Sequence, residues 1–211
     1  MNFERGQLYH IYNQGNNHQD IFFERENYLF FLRKVRTYIL PYADIIAWCL
    51  MPNHFHFMVL VNEVELGDDI SGGATQSRTP TTTAKASRTP TVTGTLNKSL
   101  GIMLASYTRA IQKQENFTGS LFRQKTKAEC ISCTNGVTPS FYTSEGITRI
   151  NIKNPELQYP QVCFDYIHQN PVKAGLVKEP IEWEFSSVQD VYGKREGSLV
   201  NKHQIAQYID Y

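Results

Sequence analysis

Two histidines separated by one residue, His54 and His56, stand in the hexapeptide Pro52-Asn53-His54-Phe55-His56-Phe57. On a β-strand, residues i and i+2 share a face, so the two imidazoles project together while Phe55 and Phe57 point to the opposite side. Paired imidazoles on a buried hairpin can grip one divalent metal ion, with the phenylalanines anchoring the strand behind them. The H-x-H spacing is common, and an incidental pair of strand histidines is the plainer alternative. The second chemistry-bearing residue is Tyr107. A nucleophilic tyrosine needs a phosphate held before it and a cation to stabilise the charge that develops. Arg109 and Lys113, and then Arg123, Lys125 and Lys127, answer that need. With Phe122 and Tyr107 among them, they can hold a phosphate backbone and stack bases. The plainer alternatives are a core aromatic and a solvated basic face.

The elements that position these residues follow from hydrophobic periodicity. GQLYHIYNQ (6–14) alternates as a strand, with Leu8, His10 and Tyr12 on one face and Tyr9 and Ile11 on the other. In ENYLFFLRKVRTYILPYA (26–43), Leu29, Phe30, Leu32, Val35, Tyr38 and Ile39 recur at helical spacing, and Pro41 marks the stop. Residues 44–51 read as a buried strand. Pro52-Asn53 is a tight break, and 54–61 forms the second arm of a hairpin. Residues 96–114 are helical, with Leu96, Leu100, Met103, Leu104, Tyr107 and Ile111 on or near one stripe. Residues 120–131 read as an extended basic strand, and 161–170 as a short helix ending before Pro171.

Two segments interrupt this order, at about 67–94 and 132–157. The first carries SRTPT twice and is nearly free of large apolar residues. Such composition buries too little surface to offset its ordering entropy, so both are read as loop insertions. Without them the order is β-α-β-β-α-β plus an extra helix. That predicts an α+β chain, 1–211, forming one ferredoxin-like antiparallel sheet with helices on one face. The other face is left for a site or a partner.

Composition bounds the function more loosely. The chain has 211 residues, 41% of them hydrophobic and 12% aromatic, and a formal net charge of only +1. Any nucleic-acid binding must therefore come from local clusters. No signal peptide or membrane span is read from the sequence, so a cytoplasmic location is the expectation. Cys130 and Cys133 form a lone C-x-x-C, which lacks the paired spacing of a convincing zinc site. Reduced thiols are the expectation there.

The segments YHIYNQGNNHQDIFF (9–23), AWCLMPNHFHFMVLV (47–61), LASYTRAIQKQ (104–114), GSLFRQKTKAE (119–129), YIHQNPVKAGLV (166–177) and WEFSSVQDVYG (183–193) together resemble the single-tyrosine HUH transposases, in particular the REP-associated tyrosine transposases. The unmatched stretches are the two polar insertions. The resemblance implies that His54 and His56 bind Mg²⁺ or Mn²⁺ and that Tyr107 attacks a phosphodiester of single-stranded DNA near a hairpin repeat. It implies a 5′-phosphotyrosine intermediate and rejoining to a second 3′-hydroxyl, as a monomer or a homodimer. Some members use a polar residue one turn after the tyrosine as third ligand, whereas Ile111 stands there. Gln112 is the nearest polar substitute, about 140° around the helix from Tyr107 at roughly 100° per residue. Tyr38, Tyr142 and Tyr166 are rival tyrosines: Tyr38 reads as core, Tyr142 sits in the second insertion, and Tyr166 reads as a wall of the site or a structural donor. His10, Asn13 and His18 read as structural or DNA-contacting. The rival function is a catalytically silent DNA- or RNA-binding module on the same fold.

Overall fold

The computed structural model describes residues 1–67, 94–133, 141–144, 147–150 and 155–211. Four strands, β1 (Leu8–Gln14), β2 (Ala43–Met51), β3 (His54–Val61) and β4 (Lys127–Cys130), form one sheet in the order β2-β3-β1-β4, with every neighbouring pair antiparallel. Between them run α1 (Arg25–Tyr38) and α2 (Leu96–Glu115). This is the ferredoxin-like α+β arrangement expected from the element order.

The alternation of β3 divides the sheet into two chemically distinct faces. Phe57 pairs across to Ile11 and Trp48, and Phe55 to Asn13 and Leu50. That face is covered by α1 and α2. Phe31 of α1 lies 5.2 Å from Phe55 and 4.9 Å from Tyr107, centroid to centroid. On the opposite face, His56 pairs with Tyr12 and Cys49, and His54 with Gln14 and Met51. The buried stripe of α1 is Tyr28, Phe31 and Val35, rotated from the expected Leu29, Phe30 and Leu32. A capping box between Glu24 and Asn27 starts α1, and Asn27 then donates to Gln114 at 2.9 Å, fixing α1 against α2. Tight backbone bonds hold the hairpin turn: Ile21 and Phe22 both donate to the Pro52 carbonyl, at 2.8 and 3.0 Å.

Beyond the sheet lie a small hairpin, β5 (Phe141–Ser144) with β6 (Ile147–Ile150), and three helices, α3 (Pro155–Lys173), α4 (Val188–Val191) and α5 (Lys202–Tyr208). The expected helix at 161–170 is thus longer at both ends. Pro171 lies inside the final turn, and α3 ends two residues after it. The expected strand at 120–131 shortens to Lys127–Cys130. Most of the 67–94 insertion lies outside the described residues, but Glu65–Leu66 pairs with Gly94–Thr95 and brings its two ends together. In the second insertion, 134–140, 145–146 and 151–154 lie outside the described residues, as does the side chain of Tyr142. What is described there is the β5–β6 hairpin and the start of α3, not a continuous loop. Cys130 and Cys133 form a disulfide. Neither the reduced thiols nor a zinc site is observed at this pair.

Helix α3 packs over β2 and β3 on the histidine face. A buried hydroxyl pins it there: Ser187 Oγ lies 2.8 Å from His168 Nε2 of α3 and accepts from the Trp48 backbone N–H of β2 at 2.9 Å. The same C-terminal segment pairs with the outer edge of β2, with Leu50 donating to Phe185 and Ser187 to Trp48. An edge strand that would otherwise be exposed is covered. No helix among the described residues is long and apolar enough to cross a membrane.

Candidate metal and nucleophile site

β3 delivers His54 and His56 to one face because the pleat alternates, and their ring centroids are 5.0 Å apart. His56 is only 5% exposed. Its Nδ1 lies 2.9 Å from Nε2 of His10 on β1, and its own Nε2 is buried with no hydrogen-bond partner among the described residues. A buried ring nitrogen without a partner is costly unless something else satisfies it. His54 is oriented by Asn53, whose Oδ1 lies 2.6 Å from His54 Nδ1. An amide oxygen only accepts, so Nδ1 carries the proton and Nε2 keeps its lone pair.

Burial holds all three imidazoles in the neutral form that coordinates metals. For His56, desolvation pushes the pKa well below its ordinary value, and the neighbouring His10 and His54 add to the effect. Desolvation also lowers His54, against a hydrogen bond to the Asn170 side chain, which favours the charged ring. His10 is lowered by burial to about 4, partly offset by Glu129.

α3 supplies the rest of the site. Tyr166 is 40% exposed, with its ring 5.4 Å from His56 and 6.0 Å from His10. The Lys173 ammonium lies 5.1 Å from the Tyr166 ring centre. Asn170 follows Tyr166 by one helical turn and so shares its face. Its amide nitrogen donates to the Tyr166 carbonyl at 2.7 Å, so Oδ1 is the atom left to face His54. On the far side, Tyr12 donates to Glu129 Oε1 at 2.7 Å; burial first, and then that bond, raise its pKa to about 12. Tyr12 is thus tied to Glu129, while the Tyr166 hydroxyl has no protein partner among the described residues.

Tyr107 does not belong to this site. It is fully buried on the opposite face, ringed by Phe31, Phe22, Phe30 and Phe122. Its hydroxyl donates to the Ile21 carbonyl at 2.6 Å, and burial raises its pKa. The sheet stands between this phenol and the histidines. Gln112 is likewise excluded as a ligand, since it lies on α2 and donates to the Gly119 carbonyl at 2.6 Å. Among the expected phosphate contacts, the exposed Lys127 pairs across from Tyr12 and so lies in the same cross-sheet row as His56. Arg123 is exposed and donates to His18 at 2.9 Å, and Lys125 is exposed nearby in sequence. Arg109 and Lys113 are exposed on α2, in the layer behind the sheet.

From sequence alone Tyr166 reads as a wall of the site or a structural donor, His10 reads as structural or DNA-contacting and Asn170 has no role, whereas the structure brings all three to the histidine face. A usable signal existed. Tyr166 and Asn170 are spaced i, i+4 within YIHQN, whereas Tyr107 continues the stripe Leu96, Leu100, Met103, a core signature. Among the described residues, no group of three or more His, Cys, Asp or Glu side chains is arranged to hold a metal. The candidate set on this face is the two imidazoles with the Asn170 amide. The unpartnered Nε2 of His56 is the observation in favour of that set.

A ferredoxin-like α+β domain with a two-histidine sheet face capped by a tyrosine-bearing helix is what the fold and site define. No family model and no curated protein matches the chain. Among solved structures, it is similar to a REP-associated tyrosine transposase bound to a REP hairpin. The TM-score is 0.53 at 16% identity, covering 96% of this chain and 87% of that one, a likeness that shows a distant relationship of fold.

Proposed function

We propose that this chain is a DNA-binding protein that cuts and rejoins single-stranded DNA near a hairpin, with Tyr166 as the nucleophile. The observation that carries this reading is the placement of Tyr166 and Asn170, one turn apart on α3, over His54 and the unpartnered Nε2 of His56. His54 Nε2, His56 Nε2 and Asn170 Oδ1 would hold Mg²⁺ or Mn²⁺; both ions favour oxygen donors, so the amide oxygen and several waters would complete the shell beside the two imidazoles. When bound, the ion neutralises charge on the scissile phosphate. The Tyr166 oxygen attacks phosphorus, the bond from phosphorus to the 3′-oxygen breaks, and a 5′-phosphotyrosine and a 3′-hydroxyl result. The phenol proton leaves to solvent, to which Tyr166 is open, and the departing 3′-oxygen takes up one proton. A second 3′-hydroxyl then attacks the phosphotyrosine, restoring the phenol and joining the strands. His10 positions His56 by fixing its Nδ1, and Lys127 offers a phosphate contact from the same face.

The test is a covalent adduct. Labelled single-stranded hairpin DNA incubated with the protein and Mn²⁺ is expected to give a shifted band on a denaturing gel. The band should be absent in Tyr166→Phe and present in Tyr107→Phe. DNA binding with no adduct under any metal would support the silent binding module instead. An adduct that survives Tyr166→Phe would remove Tyr166 from the mechanism.

A further inference from the structure

On the flank of α3 next to the Tyr166 face lies an open pocket of about 410 Å³, lined by α3, the short turn at 180–182 and α4. Its walls are largely apolar: Phe164, Ile181, Val188 and Tyr192. Polar groups converge on it from Asp165 and Gln169 on α3, and from Glu179 and Lys194 opposite. The volume falls in the range of small-ligand pockets, and an apolar slot with a few polar groups is how proteins hold a planar heterocycle. We propose that this cavity receives one nucleobase of the single strand whose phosphate lies at Tyr166. This rests on the functional reading above and adds to it the element that selects sequence.

Position on the helix supports the assignment. Asp165 and Gln169 each precede a site residue, Tyr166 and Asn170, by one position, and so form the adjacent stripe of α3. Stripes one residue apart sit about 100° around a helix roughly 10 Å across, which puts the cavity one or two nucleotides from the reacting phosphate. A base turned out of the strand there would stack against the exposed ring of Tyr192, as unpaired bases do on aromatic side chains.

The polar groups further define the base. Asp165 keeps one carboxylate oxygen tied to Gln161 at 3.1 Å, and its second oxygen has no partner among the described residues. With Glu179 opposite, the cavity offers acceptors to an exocyclic amino group. Adenine, cytosine and guanine carry one, and thymine does not. Thymine has only its N3–H to donate and brings two carbonyl oxygens toward the carboxylates, so the pocket favours an amino-bearing base over thymine.

The experiment selects, from hairpins carrying a randomised single-stranded flank, those bound by full-length Tyr166→Phe protein in EDTA. Chemistry is blocked, so the outcome depends on binding alone. One flank position is expected to exclude thymine by about tenfold. That preference should vanish in the added background of Asp165→Ala or Gln169→Ala, while preferences at other positions persist. Both side chains are exposed, and an unchanged melting temperature would confirm folding. Selected pools with no thymine-excluding position, or with one that survives both substitutions, would overturn the pocket and leave the parent reading standing. Failure to retain any DNA would overturn the parent reading itself.

Discussion

The ring of Tyr166 stands edge-on to that of His56, with planes at 82° and centroids 5.4 Å apart. A helix that is absent from the bare β-α-β-β-α-β frame thus brings an exposed phenol to a buried imidazole. Replacing Tyr166 by Phe removes one exposed hydroxyl for which no protein acceptor is found among the described residues. The expected result is loss of the covalent DNA adduct with a melting temperature unchanged within error, because exposed substitutions of this kind stay within about 0.5 kcal/mol. A large destabilisation would show that the hydroxyl serves the fold.

Tyr107→Phe should behave in the opposite way. Its hydroxyl is the partner of the buried Ile21 carbonyl, and leaving that carbonyl unsatisfied costs about 1–3 kcal/mol. Urea denaturation should show that loss, while adduct formation per folded molecule stays at the parental level. An adduct abolished in folded Tyr107→Phe would return the nucleophile to α2 and refute the site described above.

The contrast between these two tyrosines shows what the sequence discloses. The histidine pair is legible because β alternation is local: one residue of separation fixes one shared face. The sheet order is legible for a similar reason, since a tight Pro52-Asn53 break makes β2 and β3 neighbours and leaves few ways to place β1. Tyr107 misled because both a nucleophile and a core aromatic can sit on a helix after a histidine strand. Only packing across the sheet, through Phe31 to Phe55 and Phe57, decides between them. Asn170 was hidden by Pro171, which reads as a stop signal yet lies inside the final turn of α3. The His168–Ser187–Trp48 pin joins residues more than a hundred positions apart and has no local signature.

That pin sets the position of the whole tyrosine helix. In Ser187→Ala, the Trp48 N–H and His168 lose a shared buried partner. The expected cost is about 1–3 kcal/mol of stability, together with faster amide exchange in α3 than in β1 and β3. Exchange that accelerates uniformly across the sheet would show that the hydroxyl supports global stability and does not specifically dock α3.

His10 is expected to matter for metal without touching it. It holds His56 Nδ1 at 2.9 Å, the role of an outer-shell partner that orients a ligand, and such partners are worth about 10- to 100-fold in metal affinity. Calorimetric titration of Mn²⁺ into His10→Ala should show weakening of that order, whereas hairpin DNA binding in EDTA should match the parent. Loss of both together would point to a collapsed sheet face, and unchanged Mn²⁺ affinity would remove His10 from the metal site.

The two basic clusters should separate by salt dependence. Lys127 lies on the histidine face, in the same cross-sheet row as His56 and Tyr12, while Arg109 belongs to α2 behind the sheet. A cation that contacts a phosphate releases counterions when it binds, so its removal lowers the slope of log affinity against log salt by about one. Lys127→Ala is expected to show that reduced slope with weaker binding of single-stranded DNA at low salt. Arg109→Ala should keep the parental slope on the same oligonucleotide. If the two substitutions exchange these behaviours, the strand runs over the helical layer, and a phosphate could not then reach Tyr166 from the face on which it stands.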